Sequence, residues 1–171
     1  MALLLATAGV AVVSGASPAA AADNGPWHIW AQSNRGLCLQ SGLAVKASVT
    51  VQPCKNGAYA QEFYFKTSKH GYTWITDAGG LCLNVSGGVY KNSAHIITYE
   101  CAGGNDEFDS EIWLAGPPDY YMFFAHYSRN FVLNVSGATE RAGAPLILYQ
   151  WATTSSGAVS PNEMFSWSRN V

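Results

Sequence analysis

The chain has 171 residues, 49% hydrophobic and 13% aromatic but only 12% charged, with nine Lys and Arg against eleven Asp and Glu for a net charge of -2. That hydrophobicity excludes an intrinsically disordered chain, and the length suits one domain, or at most two small ones, with a core. Near-balanced charge offers no broad basic field for nucleic acid, and so few charged residues point to a β-rich, polar-surfaced protein rather than to wet helical faces.

Residues 1–22 contain no charged side chain. Ala2 to Val13 is an apolar run of signal-core length, and Ser17-Pro18-Ala19-Ala20-Ala21-Ala22 supplies the small residues that a signal peptidase needs. Cleavage is therefore expected after Ala22, making 1–22 a signal peptide and 23–171 a secreted, extracellular domain. The basic residues that usually precede such a core are missing here. An apolar core of about twelve residues is short of the ~20 that cross a bilayer, so no membrane span is expected.

From Trp27 onward the chain is built of three similar units. The first, about 27–70, opens with an aromatic strand, Trp27 to Ala31. Gly36-Leu37-Cys38-Leu39-Gln40-Ser41-Gly42 follows, then the alternating run Ser48-Val49-Thr50-Val51-Gln52-Pro53-Cys54 and the closing Gln61-Glu62-Phe63-Tyr64-Phe65. The second, 71–118, has Tyr72 to Thr76, Gly80-Leu81-Cys82-Leu83-Asn84-Val85-Ser86-Gly87, His95-Ile96-Ile97-Thr98-Tyr99-Glu100-Cys101 and Ser110-Glu111-Ile112-Trp113-Leu114. The third, 119–168, has Tyr120 to His126, Asn130-Phe131-Val132-Leu133-Asn134-Val135-Ser136-Gly137, Pro145-Leu146-Ile147-Leu148-Tyr149-Gln150-Trp151 and Glu163-Met164-Phe165-Ser166-Trp167. Four short strands per unit, with turn residues between them, predict an all-β fold: a β-trefoil, six strands forming a barrel and six forming hairpins that cap it. Leu39, Leu83 and Leu133, with Phe63, Ile112 and Phe165, are the expected shared core.

Four cysteines in an exported chain read as two disulfides, for which three pairings are open. The repeats choose among them. Cys82 and Cys101 are 19 residues apart, as are Val132 and Trp151 at the matching places of the third unit, and Cys38 and Cys54 are 16 apart across a shorter loop. Each pair therefore closes within its own unit, Cys38 with Cys54 and Cys82 with Cys101, and the third unit substitutes an apolar pair, one small and one large. No short C-x-x-C spacing occurs, and His28, His70, His95 and His126 are scattered singly, so neither a metal nor a cofactor is expected.

The C-L-(D/N)-V-S-G opening, the cysteine that ends the third strand and the closing Q-x-aromatic segment resemble the ricin B-chain type lectin repeat, over about residues 27 to 168. The family's Q-x-W tryptophan corresponds in this reading to Phe63, Ile112 and Phe165, and its glutamine to Gln61, Ser110 and Glu163. The resemblance implies one shallow sugar pocket per unit. A carboxylate after the C-L pair accepts bonds from two sugar hydroxyls, an aromatic two residues before the second cysteine stacks on the pyranose, and a polar residue before the closing glutamine completes the grip. Carried over, unit one has Gln40, Gln52 and Ala60, which leaves no ring to stack on and marks it as non-binding. Unit two has Asn84, Tyr99 and Asp109. Unit three, with Asn134, Tyr149 and Asn162 beside Glu163, is the most complete. Asn in place of the usual Asp forfeits the charge-assisted bond.

The expectation is a secreted, monomeric carbohydrate-binding module without catalysis, recognising galactose-containing, xylan-like or other cell-wall polysaccharide. Two alternatives stand beside it. One is a trefoil that binds protein, such as a protease inhibitor or toxin partner subunit, through the loops Ala102 to Asp109 or Thr153 to Pro161. The other is a lectin scaffold with decayed sites, in which Asn84 and Asn134 merely cap turns. The acidic pairs Asp106/Glu107 and Asp109/Glu111 read as a solvated loop, and no hydrolase or phosphate-binding motif occurs. Asn84-Val85-Ser86 and Asn134-Val135-Ser136 fit the N-glycosylation pattern, but a glycan there would block the pockets.

Overall fold

The computed structural model describes residues 24–67, 73–102, 112–115, 123–125, 128, 130–137, 141–151 and 158–171. Residues 1–22, the expected signal peptide, thus lie outside the described residues. Among those described, the chain forms twelve short strands joined in one sheet system. Unit one supplies β1 (Asn24–Ala31), β2 (Leu37–Gln40), β3 (Thr50–Pro53) and β4 (Phe63–Thr67); unit two supplies β5 (Thr73–Asp77), β6 (Cys82–Val85), β7 (Ala94–Tyr99) and β8 (Ile112–Ala115). Unit three supplies β9 (Phe123–Ala125), β10 (Phe131–Val135), β11 (Leu146–Gln150) and β12 (Phe165–Ser168). The four-strand unit predicted from the repeats is present in each copy, and the fold is a β-trefoil.

The first and fourth strands of each unit build the barrel. β1 pairs with β4 and β12, β5 with β4 and β8, and β9 with β8, all antiparallel. Phe123 of β9 meets Phe165 and Trp167 of β12 at ring separations of 5.8 and 5.7 Å, closing the wall with aromatic packing. The second and third strands form the hairpins β2–β3, β6–β7 and β10–β11. Those hairpins hold one another. Ile147 and Leu148 pair with His95 and Ala94, while the Val49 N–H donates to Ile96 O (3.0 Å) and the Leu146 N–H to Val49 O (2.8 Å). Period-two alternation sends one face of each hairpin inward, and Leu39, Val51, Leu83, Ile96, Leu133 and Leu148 accordingly join one buried cluster with Phe63 and Phe165.

Both disulfides close within a unit, Cys38–Cys54 and Cys82–Cys101. Each fastens β2 or β6 to the end of its hairpin partner, as the co-substituted pair Val132 and Trp151 predicted.

One part of the expected core shifts by a residue. In β8, Trp113 pairs with Ala125 and with Thr73. The same register positions are held by Phe63, opposite Asp77 and Trp27, and by Phe165, opposite Ala31. Trp113, not Ile112, is therefore the unit-two counterpart of Phe63 and Phe165, and all three are fully buried. Counting back two residues, the counterpart of Gln61 and Glu163 is Glu111 rather than Ser110. The barrel register, which the sequence does not display, selects the larger ring because it fills the interior.

A second core feature has no repeat counterpart. Asp77, at the end of β5, is buried; its Oδ2 accepts from the Ser41 hydroxyl (2.5 Å) and its Oδ1 from the Leu81 N–H (2.9 Å). The Ser41 oxygen in turn accepts from the Leu43 N–H (2.8 Å), so one carboxylate ties the β5–β6 turn to the loop after β2. Removing it strands a buried hydroxyl and a backbone N–H. Asp77→Ala is expected to lose about 2 kcal/mol, and Asp77→Asn less, as read from urea unfolding midpoints at constant slope. Equal midpoints for wild type and Asp77→Ala would refute the clamp.

Candidate functional site

In each hairpin the residues directly opposite one another share a face of the sheet, as do residues two apart on one strand. In unit two Cys82 lies opposite Tyr99 and Asn84 opposite Ile97, so Asn84, Ile97 and Tyr99 face the same way. Asn84 is 9% exposed while Tyr99 is 37% exposed. Around them opens a cleft of about 590 Å³ lined by Asn84, Ser86, Gly87, Gly88, Ile97, Tyr99, Glu100 and Lys46. Gly87 and Gly88 line it with φ of 69° and 64°, a left-handed pair that side-chain-bearing residues adopt only with strain.

Lys46 comes from unit one, in the loop between β2 and β3. Its N–H donates to Thr98 O (2.8 Å), and the Thr98 hydroxyl donates to Ala44 O (2.8 Å), which pins the loop against β7. The cleft thus combines an exposed phenol ring, a recessed amide, a hydroxyl, an ammonium and a carboxylate on a backbone held by the neighbouring unit. Sequence comparison of the units missed Lys46, because the shorter unit-one loop has no counterpart to align with it.

In unit three Val132 lies opposite Tyr149 and Asn134 opposite Ile147, reproducing the arrangement. Tyr149 is 39% exposed and Asn134 only 5%. Here the amide is engaged within the fold: Asn134 Nδ2 donates to Glu163 Oε1 (3.1 Å), and Asn134 Oδ1 accepts from Asn162 Nδ2 (3.1 Å). Asn162 Nδ2 also donates to Val135 O (3.1 Å), and its Oδ1 accepts from the Ser160 hydroxyl (2.6 Å). These partners lie on the short 3-10 turn Pro161–Glu163 before β12, not in the turn following β10, so Asn134 ties two segments together instead of capping its own turn.

A family model described as the ricin-type β-trefoil lectin domain matches residues 27–158. The chain belongs to that family. Among solved structures this lectin-family chain is similar to ThreeFoil, a designed threefold-symmetric protein, with a TM-score of 0.69, 22% identity, and 82% of this chain and 96% of that one covered. It is also similar to the Rhizoctonia solani agglutinin, with a TM-score of 0.69, 15% identity, and 88% and 98% coverage. A third likeness is to an exo-β-1,3-galactanase from Clostridium thermocellum, with a TM-score of 0.70 and 16% identity, where 86% of this chain corresponds to 31% of the galactanase chain. At these identities the likeness concerns the fold alone. No curated protein matches the chain.

Within the lectin framework, unit one shows why its hairpin differs. Gln52 occupies the place of Tyr99 and Tyr149, opposite Cys38, so the ring is missing. Gln40 Oε1 accepts from Gln61 Nε2 (3.2 Å), and Gln61 also donates to Pro53 O (3.0 Å) and accepts from the Lys55 N–H (2.9 Å). Gln61 is thus the unit-one version of the strut that Glu163 provides in unit three: a buried polar residue before the last strand, holding the hairpin by its middle.

Of the predicted site residues, the fold brings Asn84 to Tyr99 and groups Asn134, Asn162 and Glu163 near Tyr149. Asp109 lies outside the described residues, and the β8 register makes Ser110, also outside them, the unit-two counterpart of Asn162. Most of the loops Ala102 to Asp109 and Thr153 to Pro161 fall outside them too. Among the described residues no cluster of three His, Cys, Asp or Glu could hold a metal, and no helix is long and apolar enough to cross a membrane. Of the two sequon asparagines, Asn134 is buried and bonded within the fold, whereas Asn84 is recessed on the wall of the cleft.

Proposed function

We propose that this chain is an exported carbohydrate-binding module without catalysis, acting as a monomer, with its principal sugar site in the unit-two cleft and a second on unit three. The observation that carries this reading is Tyr99, exposed on the wall of the cleft beside the recessed Asn84. A pyranose presents an apolar C–H face for the ring, and hydroxyls that both donate and accept for the amide, the Ser86 hydroxyl and the charged rim. Membership in a lectin family supports the assignment. The agglutinin and the galactanase among the fold relatives support a glycan or polysaccharide ligand, in which galactose-containing, xylan-like and other cell-wall chains are the candidates. Residues 1–22 act as the signal peptide in this reading.

A shallow polar site exchanges bound water for sugar with a small net gain, so two sites on one body add strength on a polymer through effective concentration. The test is a broad glycan array followed by titration calorimetry on the best ligand. Tyr99→Ala is expected to weaken monosaccharide binding roughly tenfold, a loss of about 1.4 kcal/mol. Its melting temperature should stay within about 2 °C of the parent, because the ring is surface-exposed. An affinity matching the parent would remove Tyr99 from the site, and silence of the parent on the array would favour a protein ligand or a purely structural role.

A further inference from the structure

Unit three has Val132 and Trp151 where the other units have a disulfide, and the two residues are buried to different degrees. Val132 is fully buried, whereas Trp151 is 41% exposed. The small member of the apolar pair lies in the interior, and the large one keeps part of its ring at the surface.

Where Trp151 faces follows from the ladder. Tyr149 lies opposite Val132 and Gln150 opposite Phe131, and the Trp151 N–H donates to Asn130 O (3.0 Å), extending the pairing by one residue. Trp151 directly follows β11 in the same register as Cys54 after β3, whose side chain shares the face of Gln52, so the Tyr149 and Trp151 rings rise from one face, roughly 6.8 Å apart along the chain. In unit two the position matching Trp151 belongs to Cys101, bound to Cys82, so the strand that carries Tyr99 places no second ring there. Unit one has Gln52 and Cys54 there.

We propose that Tyr149 and Trp151 form a two-ring platform that takes two consecutive sugar units of an unbranched, β-linked polysaccharide; this rests on the carbohydrate reading above. Equatorial linkages keep successive pyranose rings extended, with their C–H faces available, which is the shape two exposed rings in a row can stack against. The polar groups beside the platform are spent on each other: Asn134, Asn162 and Glu163 bond within the fold, so they stiffen the hairpin and leave recognition to the rings. Exposed Asn130, at the Trp151 end, adds an amide at the edge. The two sites then differ in kind. The unit-two cleft takes a single sugar among polar groups, and unit three takes internal units of a chain.

The experiment titrates xylo-, galacto- and gluco-oligosaccharides, β-linked and one to four units long, into the parent, Trp151→Phe, Trp151→Ala and the double variant Val132→Cys/Trp151→Cys. The double variant installs at unit three the bond that Cys82 and Cys101 already make on the same ladder, so it removes the ring while keeping the hairpin fastened. The readout is the ratio of tetrasaccharide to monosaccharide affinity. For the parent it is expected to be on the order of tenfold for at least one series. It should be partly kept in Trp151→Phe, and fall to near one in Trp151→Ala and the double variant. A parent ratio near one, or a ratio that survives both ring deletions, overturns the platform while leaving the unit-two site standing. Failure of the parent to bind any saccharide overturns both.

Discussion

Trp113→Ala is expected to destabilise the fold by about 4 kcal/mol, within the range for deleting a large aromatic from a packed core. The indole is fully buried, and its Nε1 donates to Leu83 O at 3.1 Å. The substitution therefore leaves a cavity and also removes a donor from a buried carbonyl. Leu83 sits at the centre of β6, so the bond links the unit-two barrel strand to the hairpin that carries Asn84. Trp113→Phe keeps most of the volume and loses only the hydrogen bond, so it should cost roughly 1–2 kcal/mol. The order of effects is diagnostic: if Ile112→Ala proved the more damaging variant in guanidinium unfolding, the register of β8 would be wrong.

The second large effect belongs to the disulfides. Cys82→Ala/Cys101→Ala releases a loop with a sequence separation of 19 and should lose about 3 kcal/mol through the greater freedom of the unfolded chain. Cys38→Ala/Cys54→Ala releases one of 16, and because the entropy grows only with the logarithm of loop length the two should agree within error. The unit-two bond has a further consequence, since Cys101 lines the cleft two residues after Tyr99. Its loss should weaken sugar binding as well as stability, whereas loss of the unit-one bond should affect stability alone. Unfolding midpoints with and without reductant measure the first part, and calorimetry of the two double variants the second. A midpoint insensitive to reductant would show that the hairpins need no covalent fastening.

The repeats made much of the fold legible. An internal repetition that recurs with its cysteines, or their replacements, in matching places constrains the strands, the pairing and the closure together, because a misplaced strand would have to be misplaced three times. Residues without an echo were harder to read. Asp77 occupies the place of Ala31 and Ala125 in the other units, so nothing in the repeat announced a buried carboxylate. Lys46 lies in a loop whose length differs between units, and reaches the cleft only because that loop is bound across to β7. The repeat pattern marks Asn134 as a sugar contact, but its engagement with Glu163 and Asn162 depends on how a turn some 28 residues later folds back, which periodicity does not report.

The sequence by itself determined a threefold β architecture, the cysteine partners and the tyrosines at matching places of units two and three, because alternation and repetition are local properties of a chain. Tertiary structure decided which large residue fills the unit-two barrel, which amides are consumed inside the fold, and that Trp151 faces outward while Val132 is enclosed. Those outcomes are set by packing between segments far apart in the chain, where volume and hydrogen-bond partners are shared out only once the barrel has closed.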